Sequence, residues 1–214
     1  MSIFGKNKIF CIGRNKTGTT SLESALKELG FRVGNQPSAE LLLMDWGKRN
    51  FKPIIKYCRS ADAFQDLPFS LPFTFQALDL AYPNSKFILT IRDSAEQWYE
   101  SLITFHSKLF GKGRLPSRKD LENALYRYRG FMNDGNRLVY GTPYNEPYKK
   151  NVLIAQYTFH NKLVKEYFRN RSDDLLVINI SHSNAYFEMC NFIGVKPVRD
   201  SFPWENKTEN INIK

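Results

Sequence analysis

The sequence has few cysteines and no long uninterrupted apolar run. Its three cysteines, Cys11, Cys58 and Cys190, are odd in number and irregularly spaced, which argues against a disulfide framework and against a zinc cluster. No window approaches about 18 consecutive apolar residues, so no segment is predicted to span a membrane. The apolar stretch at residues 9–12 is too short for the apolar region of a signal peptide. We therefore expect a protein of a reducing compartment, the cytoplasm.

What the chain does have is apolar and basic content. Hydrophobic residues make up 42% and aromatic residues 14% of its 214 residues, which is enough for the core of one domain. Lys and Arg outnumber Asp and Glu by 31 to 21, and the net charge is +10. Nucleic acid, an acidic membrane surface, a multiply phosphorylated small molecule or simply a solvated basic surface would fit this charge. The motifs have to distinguish them.

Short apolar runs alternate with stretches of helical periodicity. Residues 8–13, 86–91 and 175–180 have the continuous apolar character of buried strands, and each precedes apolar residues spaced as in a helix. Two weaker strands are expected near residues 31–33 and 61–64. Strands that alternate with helices predict a parallel sheet covered on both faces.

The loop after the first strand has the composition of a phosphate-binding loop. It lies between a strand and a helix, where backbone N–H groups and the positive end of the helix dipole converge on an anion. Gly13 and Gly18 have the spacing of a nucleotidase P-loop, but Thr19 stands where that loop requires lysine. The only lysine of the loop, Lys16, comes three positions earlier. The alternative is an ordinary helix start capped by a hydroxyl.

The displaced lysine favours a donor other than a nucleoside triphosphate. An ammonium inside the loop can neutralise the bridging oxygen of a 5′-phosphosulfate, where charge accumulates as the sulfuryl group leaves. Triphosphate chemistry also uses Mg²⁺ held by a carboxylate that ends a distant strand. The candidate carboxylate, Asp93, directly follows Arg92, and a strand-ending arginine favours an anion over a metal. No metal site is therefore expected.

At these residues the chain resembles the sulfotransferase family. The family's first signature, Lys-Ser/Thr-Gly-Thr-Thr after the first strand, corresponds to residues 16–20. Its second signature is a strand, then Arg-Asp-Pro and a helix that carries a serine, and residues 87–101 are similar to it. Here Ser94 replaces the proline, and Ser101 lies nine residues after Arg92 where the family usually has eight. Residues 82–86, 192–194 and 202–206 also resemble a branch of this family.

The resemblance implies a fold, a cofactor and a set of ligands. The fold would be a P-loop NTPase-like three-layer α/β/α sandwich with a mainly parallel central sheet, as one domain over residues 1–214. The cofactor would be 3′-phosphoadenosine 5′-phosphosulfate, bound without metal, with transfer directly to a hydroxyl or amine of a small molecule or glycan. The implied cofactor ligands are Arg14, Lys16, Thr17, Gly18, Thr19, Thr20, Ser21, Arg92 and Ser101, with Ser94 as the alternative to Ser101 at the 3′-phosphate.

Transfer to an alcohol also requires a general base. Asp66 is the first candidate, because residues 61–69 resemble the segment that lines the acceptor side in this branch. Helix capping or an Asx turn is the competing explanation for Asp66, and Asp62 is the second choice. A structural role is commoner than a catalytic one for the three histidines, His106, His160 and His182.

The segment at residues 105–170 is the least regular part of the sequence. Glycine and proline recur between residues 110 and 150 among many tyrosines and arginines, which indicates either a helical lid or insertion, or surface helices with irregular connections. Its aromatic residues fit an acceptor cleft, an adenine-stacking site or a helical core. They are Tyr126, Tyr128, Phe131, Tyr140, Tyr144 and Tyr148, interleaved with Arg127, Arg129 and Arg137.

Three other functions stay open at this point. A P-loop kinase or nucleotidase would require Mg²⁺ and ATP. A non-catalytic binding protein would keep the cofactor site without the base. A basic nucleic-acid-binding domain is the weakest alternative, because no recognisable module supports it, and no nucleic-acid partner is expected.

Overall fold

The computed structural model describes residues 7–203, so Trp204, Glu205 and Asn206 of the C-terminal resemblance lie outside it. The described chain forms two compact units. The first contains the residues through Arg92 and those from His160 onward, and the second contains Asp93 to Phe159. Among residues 7–203, no helix is both long enough and apolar enough to cross a membrane.

The first unit is built on a sheet of four parallel strands. These are β1 (Ile9–Cys11), β2 (Ala63–Gln65), β3 (Lys86–Thr90) and β4 (Leu175–Ile178). Their order across the sheet is β2-β1-β3-β4, and Phe10 of β1 is in register with Phe64 and Phe87 on either side. Because the strands are parallel, all four connections that follow them leave from one edge of the sheet.

The helices account for most of the remaining regular structure. In chain order they are α1 (Thr19–Glu28), α2 (Gln36–Glu40), α3 (Leu43–Gly47), α4 (Lys52–Tyr57), α5 (Thr74–Ala81), α6 (Ala95–Phe110), α7 (Arg118–Asn123), α8 (Phe131–Gly135), α9 (Lys150–Tyr167) and α10 (Ala185–Phe192). A π-helical segment, Asn136–Tyr140, follows α8. Helices α1 to α5 and α10 belong to the first unit and α6 to α8 to the second, while α9 passes from the second into the first.

Both faces of the sheet are buried, as the apolar runs predict. Cys11 and Ile88 point to the face that packs against α1 and α10, in one cluster with Leu22 and Met189. The next residue along β1, Phe10, points to the opposite face, where its ring lies 5.4 Å from that of Phe87. This alternation is the period of a strand. The predicted fold class is confirmed: an α/β fold with a central parallel sheet flanked by helices.

The two weaker strand predictions had different outcomes. Residues 61–64 overlap β2, whereas residues 31–33 form no strand and contribute only a single bridge from Val33 to Ala63. The connection between the helices is short, because α1 ends at Glu28 and Asn35 already caps α2 by accepting a hydrogen bond from the backbone N–H of Ser38.

The second unit is organised around buried aromatic rings and one buried arginine. The rings of Trp98 and Tyr157 stack with centroids 4.6 Å apart. Arg118 donates to the carbonyl oxygens of Tyr144 and Pro143 at 3.0 and 3.1 Å, and so holds the connection after the π-helical segment. Tyr148 is buried, while Tyr126 and Tyr144 are exposed. Part of the aromatic set is therefore a helical core, and a lid function for this segment stays a prediction.

Candidate active site

The loop from β1 to α1 packs closely against the edge of the sheet, and its two glycines make this possible. A Cβ atom on Gly13 would lie 2.1 Å from Oγ1 of Thr90. Gly18 caps α1 with φ of 96°, and a Cβ atom there would lie 2.0 Å from Cδ1 of Ile180. Only glycine fits both places, so the glycine spacing reflects contact with the end of β3 and with Ile180, two residues after β4.

Two of the predicted ligands have their side chains in the interior. Thr17 is fully buried, and its hydroxyl donates to the carbonyl oxygen of Arg14 at 2.5 Å. Oγ1 of Thr90 lies 2.6 Å from Oγ1 of Thr17, and because the Thr17 proton is already used, Thr90 is the donor in this pair. The Arg14 side chain is also buried and donates to the carbonyl oxygen of Ser70. Both side chains shape the loop from within.

Lys16 has an unusual backbone conformation for its residue type. Its φ is 67°, in the left-handed region that favours glycine. Its carbonyl oxygen accepts a hydrogen bond of 2.7 Å from Nε of Arg92. Burial, and after it the positive charge of Arg92, lower the pKa of Lys16 to about 8, although Asp66 acts in the opposite direction.

Asp66 lies beside this loop, because β2 is the neighbour of β1 and Asp66 directly follows it. Its φ is 57°, and its Oδ1 accepts from the backbone N–H of Leu67 at 2.9 Å. Its Oδ2 accepts from the hydroxyl of Thr19 at 3.2 Å. Burial raises the pKa of Asp66, against the effects of these hydrogen bonds and of Lys16 and Arg14. The carboxylate therefore bonds the N–H of the next residue, which is not an Asx turn, because the residue two positions on is Pro68 and has no N–H.

The N-terminus of α1 completes the arrangement. Its N-cap residue, Gly18, has no side chain to cap it, and its first turn contains no acidic residue. Thr19 and Ser21 are buried in this turn, and Thr20 is partly exposed. The positive end of the helix dipole is thus left for an external anion beside Lys16.

The comparison with known families agrees with this geometry. Residues 8–211 match the family described as the sulfotransferase domain. The chain belongs to the sulfotransferase family. The match includes the loop, Asp66 and Arg92, and it supports sulfuryl transfer as the general activity. No curated protein matches the chain.

The second signature of this sulfotransferase is divided between the two units. Arg92 is the last residue of the first of the two chain segments that make up the first unit. It directly follows Ile91, whose backbone N–H donates to the carbonyl oxygen of Ile178. Ser94 caps α6, where its hydroxyl accepts from the N–H of Gln97 at 3.0 Å. Ser101 is partly buried within α6 of the second unit. The capping role of Ser94 favours Ser101 as the phosphate ligand, and that assignment stays a prediction.

Asp62, the second choice of base, lies at the amino-terminal ends of the strands, opposite the ends that Lys16 and Asp66 follow. It precedes β2, whereas Lys16 and Asp66 follow the ends of β1 and β2. Its carboxylate pairs with the guanidinium of Arg32 at 3.4 Å. The sheet therefore separates Asp62 from the loop of the sulfotransferase.

Two of the three histidines have positions that fit structural roles. His106 is buried in the second unit, and its Nδ1 lies 2.8 Å from the hydroxyl of Tyr148. His160 is fully buried, and its Nε2 donates to the carbonyl oxygen of Ile12. Burial and the charge of Arg14 lower the pKa of His160 to about 3, so it is neutral at physiological pH. His182 is exposed in the turn after β4.

Among residues 7–203, no group of three or more His, Cys, Asp or Glu side chains is arranged to hold a metal ion.

Sequence reasoning missed Thr90 and the link between Thr19 and Asp66. Thr90 is fully buried and contacts the loop at both Gly13 and Thr17. No sequence motif includes Thr90 as a functional residue, and its position in the apolar run predicts only that it belongs to a strand. The only available signal was its place at the end of the strand that precedes Arg92.

Proposed function

We propose that this chain transfers the sulfuryl group of 3′-phosphoadenosine 5′-phosphosulfate to a hydroxyl or amine of a small molecule or glycan. The observation that carries the proposal is the meeting of Lys16, Asp66 and Arg92 at the edge of the sheet, around an uncapped helix N-terminus. Two cations and a helix dipole suit a dianionic ligand, and a carboxylate of raised pKa suits a proton acceptor.

The loop fits the phosphosulfate end of the donor. When bound, the donor would supply an activated sulfuryl group that needs no metal to transfer. Lys16 would hold the bridging oxygen, and the backbone of residues 18–21 would hold the 5′-phosphate. Arg92 would hold the 3′-phosphate. The side chains of Arg14 and Thr17 would act on this ligand through the shape of the loop, because both are buried.

Lys16 would act as an electrostatic catalyst. Its ammonium lies in a partly buried position, where a charge interacts more strongly than in water. It would neutralise the charge that develops on the oxygen from which the sulfuryl group departs. The lowered pKa of Lys16, about 8, still leaves most of the side chain protonated at pH 7.

Asp66 would act as the general base toward the acceptor. The hydrogen bonds from Leu67 and Thr19 orient its carboxylate, and its raised pKa brings it closer to the operating pH, where a base is most effective. Asp66 would take the proton of the attacking hydroxyl or amine as the new bond to sulfur forms.

The kinase or nucleotidase alternative is disfavoured by Thr19. In a nucleotidase loop this position carries the lysine that reaches the terminal phosphates. Here it carries a hydroxyl that donates to the Asp66 carboxylate, so position 19 offers no cation to the terminal phosphates of a triphosphate. A cytoplasmic location is proposed as well, since Cys11, Cys58 and Cys190 are all free thiols.

Ligand-dependent stability tests the proposed cofactor. Adenosine 3′,5′-bisphosphate at about 100 times its Kd should stabilise the fold by about 2.7 kcal/mol, which raises the Tm by roughly 5–10 °C for a chain of this size. The shift should be the same with and without EDTA. Stabilisation by ATP that requires Mg²⁺, with none by the bisphosphate, would contradict the proposal.

A screen of acceptors with ³⁵S-labelled donor then tests transfer itself. Transfer of label to a hydroxyl or amine compound would support the enzyme assignment. Tight binding of the bisphosphate without transfer to any acceptor class would favour the non-catalytic alternative.

A further inference from the structure

The end of β3 contacts the phosphate loop at separate points. Thr90 donates to the hydroxyl of Thr17 and lies against Gly13. Two residues later, Nε of Arg92 donates to the carbonyl oxygen of Lys16 at 2.7 Å. All of these groups lie in the first unit. The strand end therefore contacts the loop three residues before Lys16, at Lys16 and at the residue after it.

The contact at Lys16 matters because the backbone there is strained. A non-glycine residue with φ of 67° is in a conformation that L-residues adopt at a cost, and such a conformation persists only where the surroundings enforce it. A charged hydrogen-bond donor on the carbonyl of that same residue is a local means of enforcing it. The direction in which Lys16 leaves the backbone depends on this conformation.

We propose that Arg92 is a positioning residue for Lys16, whose Nε–H holds the Lys16 carbonyl and thereby aims the ammonium of Lys16 at the departing sulfuryl group. The role is separate from the phosphate contact proposed for Arg92, which would use the terminal amino groups of the guanidinium. The hydrogen bond itself is independent of any ligand, and its catalytic consequence rests on the proposed function.

The charges around Lys16 are consistent with this coupling. Arg92 lowers the pKa of Lys16 while Asp66 raises it, so these two groups of the first unit have opposite effects on the charge of the ammonium. Loss of the guanidinium charge should raise the pKa of Lys16 in every uncharged variant of Arg92. Orientation and charge can therefore be separated by a pair of uncharged variants.

Arg92→Gln and Arg92→Met form such a pair. Both remove the charge and the terminal amino groups, and both side chains have similar length. The amide nitrogen of glutamine takes the place of Nε in arginine and keeps a donor there, whereas methionine has no donor. Arg92 is partly exposed, so both variants are expected to fold, and thermal melting checks this.

Hydrogen exchange of the free protein gives a readout that needs no activity. The N–H of Thr17, bonded to the carbonyl oxygen of Arg14 at 3.3 Å, lies in the peptide to be followed. Exchange of loop residues 13–18 should be roughly two- to tenfold faster in Arg92→Met than in the wild type. It should stay near the wild-type rate in Arg92→Gln. Equal exchange in the two variants would overturn the proposal that this hydrogen bond holds the loop.

Turnover at saturating donor tests the catalytic consequence. Both variants should lose donor affinity equally, but kcat should be roughly tenfold or more lower in Arg92→Met than in Arg92→Gln, because a small misplacement of a catalytic group is costly. Equal kcat values would overturn the positioning role, even if exchange differed. Absence of transfer by the wild type would count against the proposed function, while the exchange result would still decide the hydrogen bond.

Discussion

Two loops that follow neighbouring strands at the same edge of the sheet each contain a charged residue with a left-handed backbone, one a lysine and the other an aspartate. Lys16 in the loop after β1 has φ of 67°, and Asp66 after β2 has φ of 57°. Burial shifts both toward the neutral form, lowering the pKa of Lys16 to about 8 and raising that of Asp66. Neighbouring strands thus present an acid and a base whose charges are less stable than in water.

The two residues differ in how they are held. The Asp66 carboxylate itself accepts hydrogen bonds from Leu67 and Thr19, while Lys16 is held at its backbone carbonyl by Arg92. A base has to be oriented at its proton-accepting atoms, whereas a cation acts through distance. The difference matches the roles proposed for the two residues.

The largest effect is expected for Lys16→Ala. Loss of the ammonium should lower kcat by about 10²- to 10³-fold, with a smaller loss of donor affinity. Arg92→Ala should weaken donor binding more than Lys16→Ala does, and should lower kcat less, by roughly tenfold through loss of the Nε contact to Lys16. Lys27→Ala is the matched control, because Lys27 is an exposed lysine in α1. Steady-state kinetics with an acceptor from the ³⁵S screen measure this. Equal losses of affinity in the Lys16 and Arg92 variants would refute the division of roles.

Asp66→Asn should have the next largest effect. The amide keeps the shape of the side chain but cannot take a proton, so kcat should fall by about 10²-fold or more. Asp62→Asn, at the other end of β2, should have little effect on kcat. If the Asp62 variant lost as much turnover as the Asp66 variant, the assignment of the base would be wrong.

The pH profile separates the two residues further. Lys16 has to be protonated and Asp66 deprotonated for activity. The value of kcat/KM for the donor should therefore fall as the pH rises above about 8. It should also fall on the acid side, at a pH higher than the range in which an ordinary carboxyl group titrates. Lys16→Arg keeps its charge to much higher pH. The alkaline limb should therefore move upward in that variant. A limb that stays near pH 8 would have to come from another group.

The smallest effect is expected for Thr19→Val. Its hydroxyl stabilises the Asp66 carboxylate, so its loss should raise the pKa of Asp66 and move the acid limb to higher pH. The change in kcat at the optimum should be severalfold at most, as for one hydrogen bond. Thr19→Ser should restore the wild-type profile. A shift of the acid limb to lower pH would show that Thr19 does not support this carboxylate.

The sequence predicted the parts of this site that depend on local pattern. Apolar runs and helical spacing located β1, β3 and β4, and glycine spacing located the loop between β1 and α1. The left-handed backbone of Lys16 and the burial of the Arg14 side chain were not predictable, because both depend on groups distant in the chain. Arg92 is 76 positions from Lys16, and Ser70 is 56 from Arg14.

The same limit applies to the second unit. Its aromatic and arginine content was visible in the sequence, but Arg118 was not singled out as the residue that orders the connection at Pro143 and Tyr144. A buried arginine surrounded by backbone carbonyls has no sequence signature of its own. Composition alone could not separate the buried Tyr148 from the exposed Tyr126.

The central claim, that Lys16 is a desolvated ammonium beside the donor site, is tested most directly by its titration. Carbon-13 NMR of isotopically labelled lysines, with the Lys16 signal assigned by its absence in Lys16→Ala, follows this group without an acceptor. We predict a pKa near 8 in the free protein and a rise when adenosine 3′,5′-bisphosphate binds. A pKa near the ordinary 10.5 that the bisphosphate does not change would contradict the account.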